Sequence, residues 1–150
     1  MKVPLSWLKE YVDIGLSAEE VAHLLTMAGT EVAGIETIGD WGPCYIGLVR
    51  KIEPHPNADR LTLCTVDIGL EQLQVVCGAP NVSEGLKVPL AKVGAYIFNV
   101  HSRKHETLKQ AQIRGVISQG MICSELELGL GQDHTGILAL SEDAPVGKPL

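Results

Sequence analysis

The chain has 150 residues, 45% of them hydrophobic, and a formal net charge of −6. That length buries roughly 68–70% of the unfolded surface, enough for one ordinary domain or a small domain with an appendage. No apolar run approaches the ~20 residues of a membrane span, and the start, Met1-Lys2-Val3-Pro4, lacks the apolar stretch of a signal peptide, so no membrane is expected. Residues 1–38 read as helix, helix, strand. Ser6 is placed to cap a short helix with Trp7, Leu8, Tyr11 and Val12 on one side. Ser17-Ala18-Glu19-Glu20 is a capping box, and Val21, Leu24, Leu25 and Ala28 follow at i, i+3, i+4, i+7 until Gly29 ends the helix. Val32 to Ile38 reads as a strand with a bulge at Gly34. Asp40-Trp41-Gly42-Pro43 is a turn, and residues 39–150 begin a second domain there.

Short strands at near-regular spacing with glycine turns predict a small closed barrel in that second domain. Tyr45 to Ile52 is the first strand, stopped by Pro54 and Pro56, each without an N–H and each pushing its predecessor out of the helical region. Leu61 to Ile68 and Leu73 to Cys77 form a hairpin around Gly69-Leu70-Glu71. Lys87 to Val93 and Ala95 to Val100 read as a strand pair around Gly94. His101 to His105 reads as a polar loop, and Leu108 to Ile117 as a strand interrupted at Gly115. Ser124-Glu125-Leu126-Glu127 is a second capping box for about one helical turn, and Gly136 to Leu140 a last short strand. The fold class is therefore α+β.

Charge is unevenly distributed. Residues 1–40 carry a net −5, residues 41–120 a net +3 and residues 121–150 a net −4, so only the middle block is basic. Catalytic groupings are scarce. Neither standard Gly-rich phosphate loop occurs, Ser118 has no evident base, and His101 and His105 have no third metal ligand near them in sequence. His55 is held between prolines, a structural rather than a proton-transfer setting. Cys44, Cys64, Cys77 and Cys123 lack Cys-x-x-Cys spacing and read as reduced, mostly buried thiols in a cytoplasmic protein, with no metal or cofactor expected in this segment.

Three ordered landmarks carry a resemblance. Pro54-His55-Pro56-Asn57-Ala58-Asp59-Arg60-Leu61, then Val75-Val76-Cys77-Gly78-Ala79-Pro80-Asn81-Val82, then Ile113-Arg114-Gly115-Val116-Ile117-Ser118-Gln119-Gly120-Met121-Ile122-Cys123-Ser124 resemble the tRNA-binding domain family, OB-fold barrels associated with aminoacyl-tRNA synthetases. Val3 to Val12 followed by the Ser17 helix resembles the start of bacterial phenylalanyl-tRNA synthetase β chains. The resemblance implies a five-stranded OB-fold barrel with one short helix after the helix-helix-strand segment. It also implies that residues 1–38 are part of a domain completed after residue 150 in a longer parent chain. The parent assembly would be an ATP- and magnesium-dependent phenylalanine–tRNA ligase with a catalytic α chain, whose catalytic residues lie outside this segment.

Binding of tRNA is the function expected, and an OB-fold presents the groups for it from one face and its loops. Arg50, Lys51, Arg60, Lys87, Lys92, Arg103, Lys104, Lys109 and Arg114 can pair with phosphates; Asn81, Ser118, Gln119 and Ser124 offer hydrogen bonds, and Met121 an apolar contact. Core packing is the alternative for Met121. Aromatics are few, Tyr45, Tyr96 and Phe98 with Trp41 at the edge, so shape and phosphate recognition of structured RNA is expected over stacking. The alternative is a module that positions synthetase subunits with little RNA contact.

Overall fold

The computed structural model describes every residue, Met1–Leu150. The chain forms two compact units, Met1–Thr37 and Ile38–Leu150. In the first, α1 spans Leu5–Tyr11 and α2 spans Ala18–Met27. Pro4, not Ser6, stands at the N-cap of α1. Its fixed φ of −65° suits that position, and its carbonyl accepts from Trp7 and Leu8, so the helix starts two residues earlier than the serine signal suggests. The α2 box forms as the sequence predicts: Ser17 Oγ accepts from Glu20 N at 3.3 Å and Glu20 Oε2 accepts from Ser17 N at 2.8 Å. At its other end Gly29 takes φ +94°, while Thr30 N reaches Leu25 O and Gly29 N reaches Thr26 O, the paired bonds of a Schellman ending. The strand predicted over Val32 to Ile38 does not form. No second strand exists in this unit to accept its ladder, and an extended segment alone leaves its backbone groups to water.

In the second unit β1 (Cys44–Pro54), β2 (Thr62–Asp67), β3 (Gln72–Cys77), β4 (Lys87–Lys92) and β9 (Gly120–Ile122) form one antiparallel sheet in the order β3-β2-β1-β4-β9. Its two ends approach through the residues just before β9. Gln119 N donates to Gln74 O at 2.9 Å, Gln74 N to Gln119 Oε1 at 2.8 Å, and Val76 N to Ser118 Oγ at 3.0 Å. The result is a nearly closed five-stranded barrel, so the chain as a whole is α+β. A bulge at Arg50 bends the long β1 where Val49 pairs Val66 and Lys51 pairs Thr65. Val49, Cys64, Val66, Val75, Val88 and Leu90 fill the barrel; a second cluster around Cys44, Ala91, Ala95, Ile97, Cys123 and Leu128 lies beside it. Gly47 leaves room for the Val66 side chain, because a Cβ there would lie 2.5 Å from Val66 Cγ1.

Five local expectations need correction. Lys87–Lys92 does not pair with the next strand. Both edges of β4 are taken, by β1 and β9, so β5 (Tyr96–Asn99) pairs instead with β6 (Lys104–Thr107), which takes in Lys104 and His105 of what reads as a polar loop. There Asn99 Oδ1 accepts from His101 N and Ser102 N, Arg103 takes φ +56°, and rings on one face offset the polar composition. The interrupted strand is a hairpin, β7 (Ala111–Ile113) and β8 (Val116–Ser118), whose two turn residues, Arg114 and Gly115, both have positive φ, +49° and +90°. The Ser124 box forms, Ser124 N donating to Glu127 Oε2 at 2.6 Å and Glu127 N to Ser124 Oγ at 3.4 Å, but Gly129 ends it after one turn and no helix develops. Gly136 to Leu140 makes single bonds, Leu138 N to Cys123 O and Leu140 N to Lys87 O, without a strand ladder.

Candidate nucleic-acid interface

The proline-clamped corner works as a clasp. His55 is buried; its Nδ1 accepts from Asn57 N at 3.0 Å and its Nε2 lies 3.1 Å from Ile113 O. That pairing assigns the proton to Nε2, and with both nitrogens engaged the ring has no free position for proton transfer. Asn57 Nδ2 donates to Arg114 O at 2.9 Å. Thus the first landmark of the sequence grips the tip of the third, and the corner that carries Arg60 holds the turn that carries Arg114. Both arginines are exposed, and neither is within ion-pair distance of a carboxylate.

From that tip, β8 runs to Gln119 and the barrel seam. Cross-strand register places Lys51, Thr65 and Gln74 in one outward row on β1, β2 and β3, and Gln119 joins the end of the row through its bonds to Gln74. Lys51 pairs with Glu53 at 2.8 Å, and the Glu53 carboxylate raises the ammonium pKa above its ordinary value. Arg50 forks onto Asp67 Oδ2 at 2.8 and 3.0 Å. The Gly69 N–H and then the Arg50 guanidinium hold the Asp67 carboxyl below the usual aspartate range.

The remaining predicted contacts divide sharply. Lys87 Nζ donates to the carbonyls of Glu142 and, at 2.8 Å, Ala144, tying the C-terminal segment to β4; Lys92 pairs with Glu71. Ser118 is buried, with its hydroxyl between Val76 N and Gly120 O, and Ser124 is buried in its own capping box. Asn81 clasps Ile137 twice, Nδ2 to its carbonyl and Oδ1 from its N–H, each at 2.9 Å. Met121 is half-buried against the second cluster. Arg103, Lys104 and Lys109 are exposed without ion pairs, but on or beside the β5–β6 hairpin, not in the outward row. The row residues Thr65 and Gln74 are absent from the sequence-based set, because their position depends on strand register, which no local motif encodes. All four cysteines are buried free thiols; Cys64 is pushed up by the Cys77 sulfur and by burial, the setting of an inert thiol.

Residues 44–149 match the family described as "Putative tRNA binding domain". The chain belongs to the tRNA-binding domain family. Over 148 residues, 98% of its length, it is 51% identical to a phenylalanine–tRNA ligase beta subunit of Dehalococcoides mccartyi, and it is 49% identical to the subunits of that name in Rhodospirillum rubrum and Trichormus variabilis. It spans only 18% of the length of each of these relatives. Two solved structures share the fold: a MetRS-related protein from Pyrococcus horikoshii (TM-score 0.50, 24% identity, 71% of this chain and 87% of that one) and the C-terminal domain of Plasmodium vivax p43 (TM-score 0.50, 22% identity, 75% and 61%). The clasp therefore joins the first and third landmarks of a tRNA-binding domain, and the buried Ser118 closes the second against the third.

Proposed function

We propose that this tRNA-binding domain binds structured tRNA by phosphate and shape contacts, as part of a phenylalanine–tRNA ligase β subunit in the cytoplasm. One observation carries the reading: the His55–Asn57 clasp fixes the Arg114 turn against the corner bearing Arg60, and both guanidiniums stand free of acids next to a polar outward row. Guanidinium forks suit phosphate oxygens, and a fixed backbone lowers the cost of ordering them. Residues 41–120, which hold both arginines, are the only net-positive block of the sequence. The catalytic α chain, ATP and magnesium belong, in this reading, to the rest of the parent assembly.

A second reading has its own support. Neither helix of residues 1–37 contains a buried residue, and Trp7 (63%), Tyr11 (85%) and Met27 (73%) are largely exposed. Since the matched relatives are more than five times longer, we propose that this unit is completed by chain beyond residue 150 and helps position subunits. An electrophoretic mobility assay of the chain with bulk tRNA separates the two roles. Retardation at low salt that is lost at moderate salt supports RNA binding; free tRNA throughout assigns the domain to subunit positioning.

A further inference from the structure

Aromatic residues are few here, yet two of them converge with a histidine at one place. On the β5–β6 hairpin Phe98 pairs directly with His105 and Tyr96 with Thr107, so these four side chains share one face. The Tyr96 and His105 rings stack with centroids 5.7 Å apart and planes 26° apart; Phe98 meets His105 edge-on at 5.3 Å. Tyr96 is 53% exposed and His105 is exposed, so the stack is not core. Beside it opens a cleft of about 240 Å³, with Phe98 and His105 on one side and the 126–132 loop on the other. Leu126 and the exposed Leu130 give that loop an apolar wall, while Gln132 and the backbone of Gly129 to Gly131 supply hydrogen-bonding edges. The Phe98 N–H to Glu127 O bond at 2.9 Å ties the two sides together.

We propose that this cleft takes one unpaired nucleobase of an RNA, apart from the phosphate-contacting face; the proposal rests on the RNA-binding reading and adds a second contact to it. A cleft with ring and leucine walls and polar rims is what a splayed-out base needs. Charge agrees with an RNA occupant. The hairpin turn next to the stack carries His101, Arg103 and Lys104 with no ion pair among them. Two nearby carboxylates are engaged, Glu127 in the Ser124 box and Glu106 with Asn99 across the hairpin on the face opposite His105; Glu125, packed against Gly131, is the one acid at the rim without a partner. A base above His105 and Phe98 would place its backbone toward the hairpin turn that bears Arg103, while Lys104 lies with Glu106 on the opposite face.

The test uses the 150-residue chain, an eight-residue oligoadenylate and an abasic ribose-phosphate oligomer of the same length. His105→Ala and Leu130→Ala, both at exposed positions, are expected to weaken oligoadenylate binding by roughly 5- to 150-fold, the range of one stacked base, and to leave abasic binding and its salt slope unchanged. Amide shifts at Phe98, His105 and Gly131 on titrating plain adenosine, which has no phosphate, read the cleft independently of the basic face. Adenosine shifts with no oligomer binding would sustain the base site and sink the phosphate reading. Equal losses for both oligomers, or the absence of adenosine shifts with unchanged variant affinities, would overturn the proposal. So would a leucine-bearing peptide that shifts those amides where adenosine does not, which would make the cleft a protein contact.

Discussion

The two units solve the problem of folding differently. In residues 1–37 the structure is local: a proline start, a serine–glutamate box and a glycine ending, each within a few residues of its partner, and no helix residue is buried. In residues 38–150 the structure is set by long-range pairings, with Val49, Cys64, Val66, Val75 and Leu90 fully enclosed by strands far apart in sequence. Short helices without tertiary packing are marginal in water, whereas enclosed apolar side chains supply most of a domain's stability. Local signals can thus write a helix that only burial can hold.

Hydrogen exchange offers the widest contrast. Amides of Val49, Val66, Val75 and Leu90 are expected to exchange at the global unfolding limit, and those of α1 and α2 at least about 10³-fold faster. Equal protection would mean that residues 1–37 are complete in themselves. The next contrast is in side-chain deletion. Leu90→Ala, in the barrel interior, should cost about 2–5 kcal/mol, while Leu24→Ala, on an exposed helix face, should stay within about 0.5 kcal/mol. Chemical denaturation followed through Trp41, with Trp7 replaced by Phe, reads the barrel separately from the helices.

The two capping boxes sharpen the comparison further. Both obey the same sequence rule, but Ser124 is buried and Ser17 exposed. Ser124→Ala leaves the half-buried Glu127 N–H and its carboxylate each short of a partner and should lower barrel stability by roughly 1–3 kcal/mol. Ser17→Ala should reduce helical circular dichroism and leave the barrel melting temperature unchanged. Equal effects in the two variants would contradict the division.

The smallest expected differences lie in titration. Asp67 and Glu20 are both held below their ordinary carboxyl values, the first by Gly69 N–H and then Arg50, the second by the Ser17 N–H and then its hydroxyl. A depressed carboxyl pKa contributes stability above the unfolded value, lost as pH falls through the folded one. Carboxyl ¹³C titration should place both below the ordinary Asp and Glu values. Arg50→Ala should move Asp67 back only part of the way, because the Gly69 N–H, the larger cause, remains; full recovery would reverse that ranking.

Residues encode these features unequally. The α2 boundaries, the hairpin around Gly69 and the landmarks of the barrel were legible, because capping boxes, glycine turns and alternating strands are short-range patterns. The failures share a cause. Val32 to Ile38 has strand composition without a strand to pair with, and β4 and β5 look like a hairpin until β1 and β9 occupy both edges of β4. Among the candidate contacts, basic composition identified Arg60 and Arg114 together with Lys87 and Lys92, yet only geometry shows that the latter two are occupied by carbonyls and by Glu71. Ser118 and Asn81 lie within family landmarks and serve the barrel seam and the Ile137 segment instead of offering free polar groups.

The central claim is that cations left free at the clasp, not those spent within the fold, meet the phosphates. Its most direct test is the slope of log K against log salt for tRNA binding by the unsubstituted 150-residue chain, by Arg60→Ala/Arg114→Ala and by Arg50→Ala. Loss of two phosphate contacts should flatten the slope of the double variant by roughly 1.4–1.8, since each released counterion contributes about 0.7–0.9, and should weaken binding to all tRNAs alike. Arg50→Ala should keep the slope of the unsubstituted chain. An unchanged slope in the double variant, or an equal flattening in Arg50→Ala, would contradict the account.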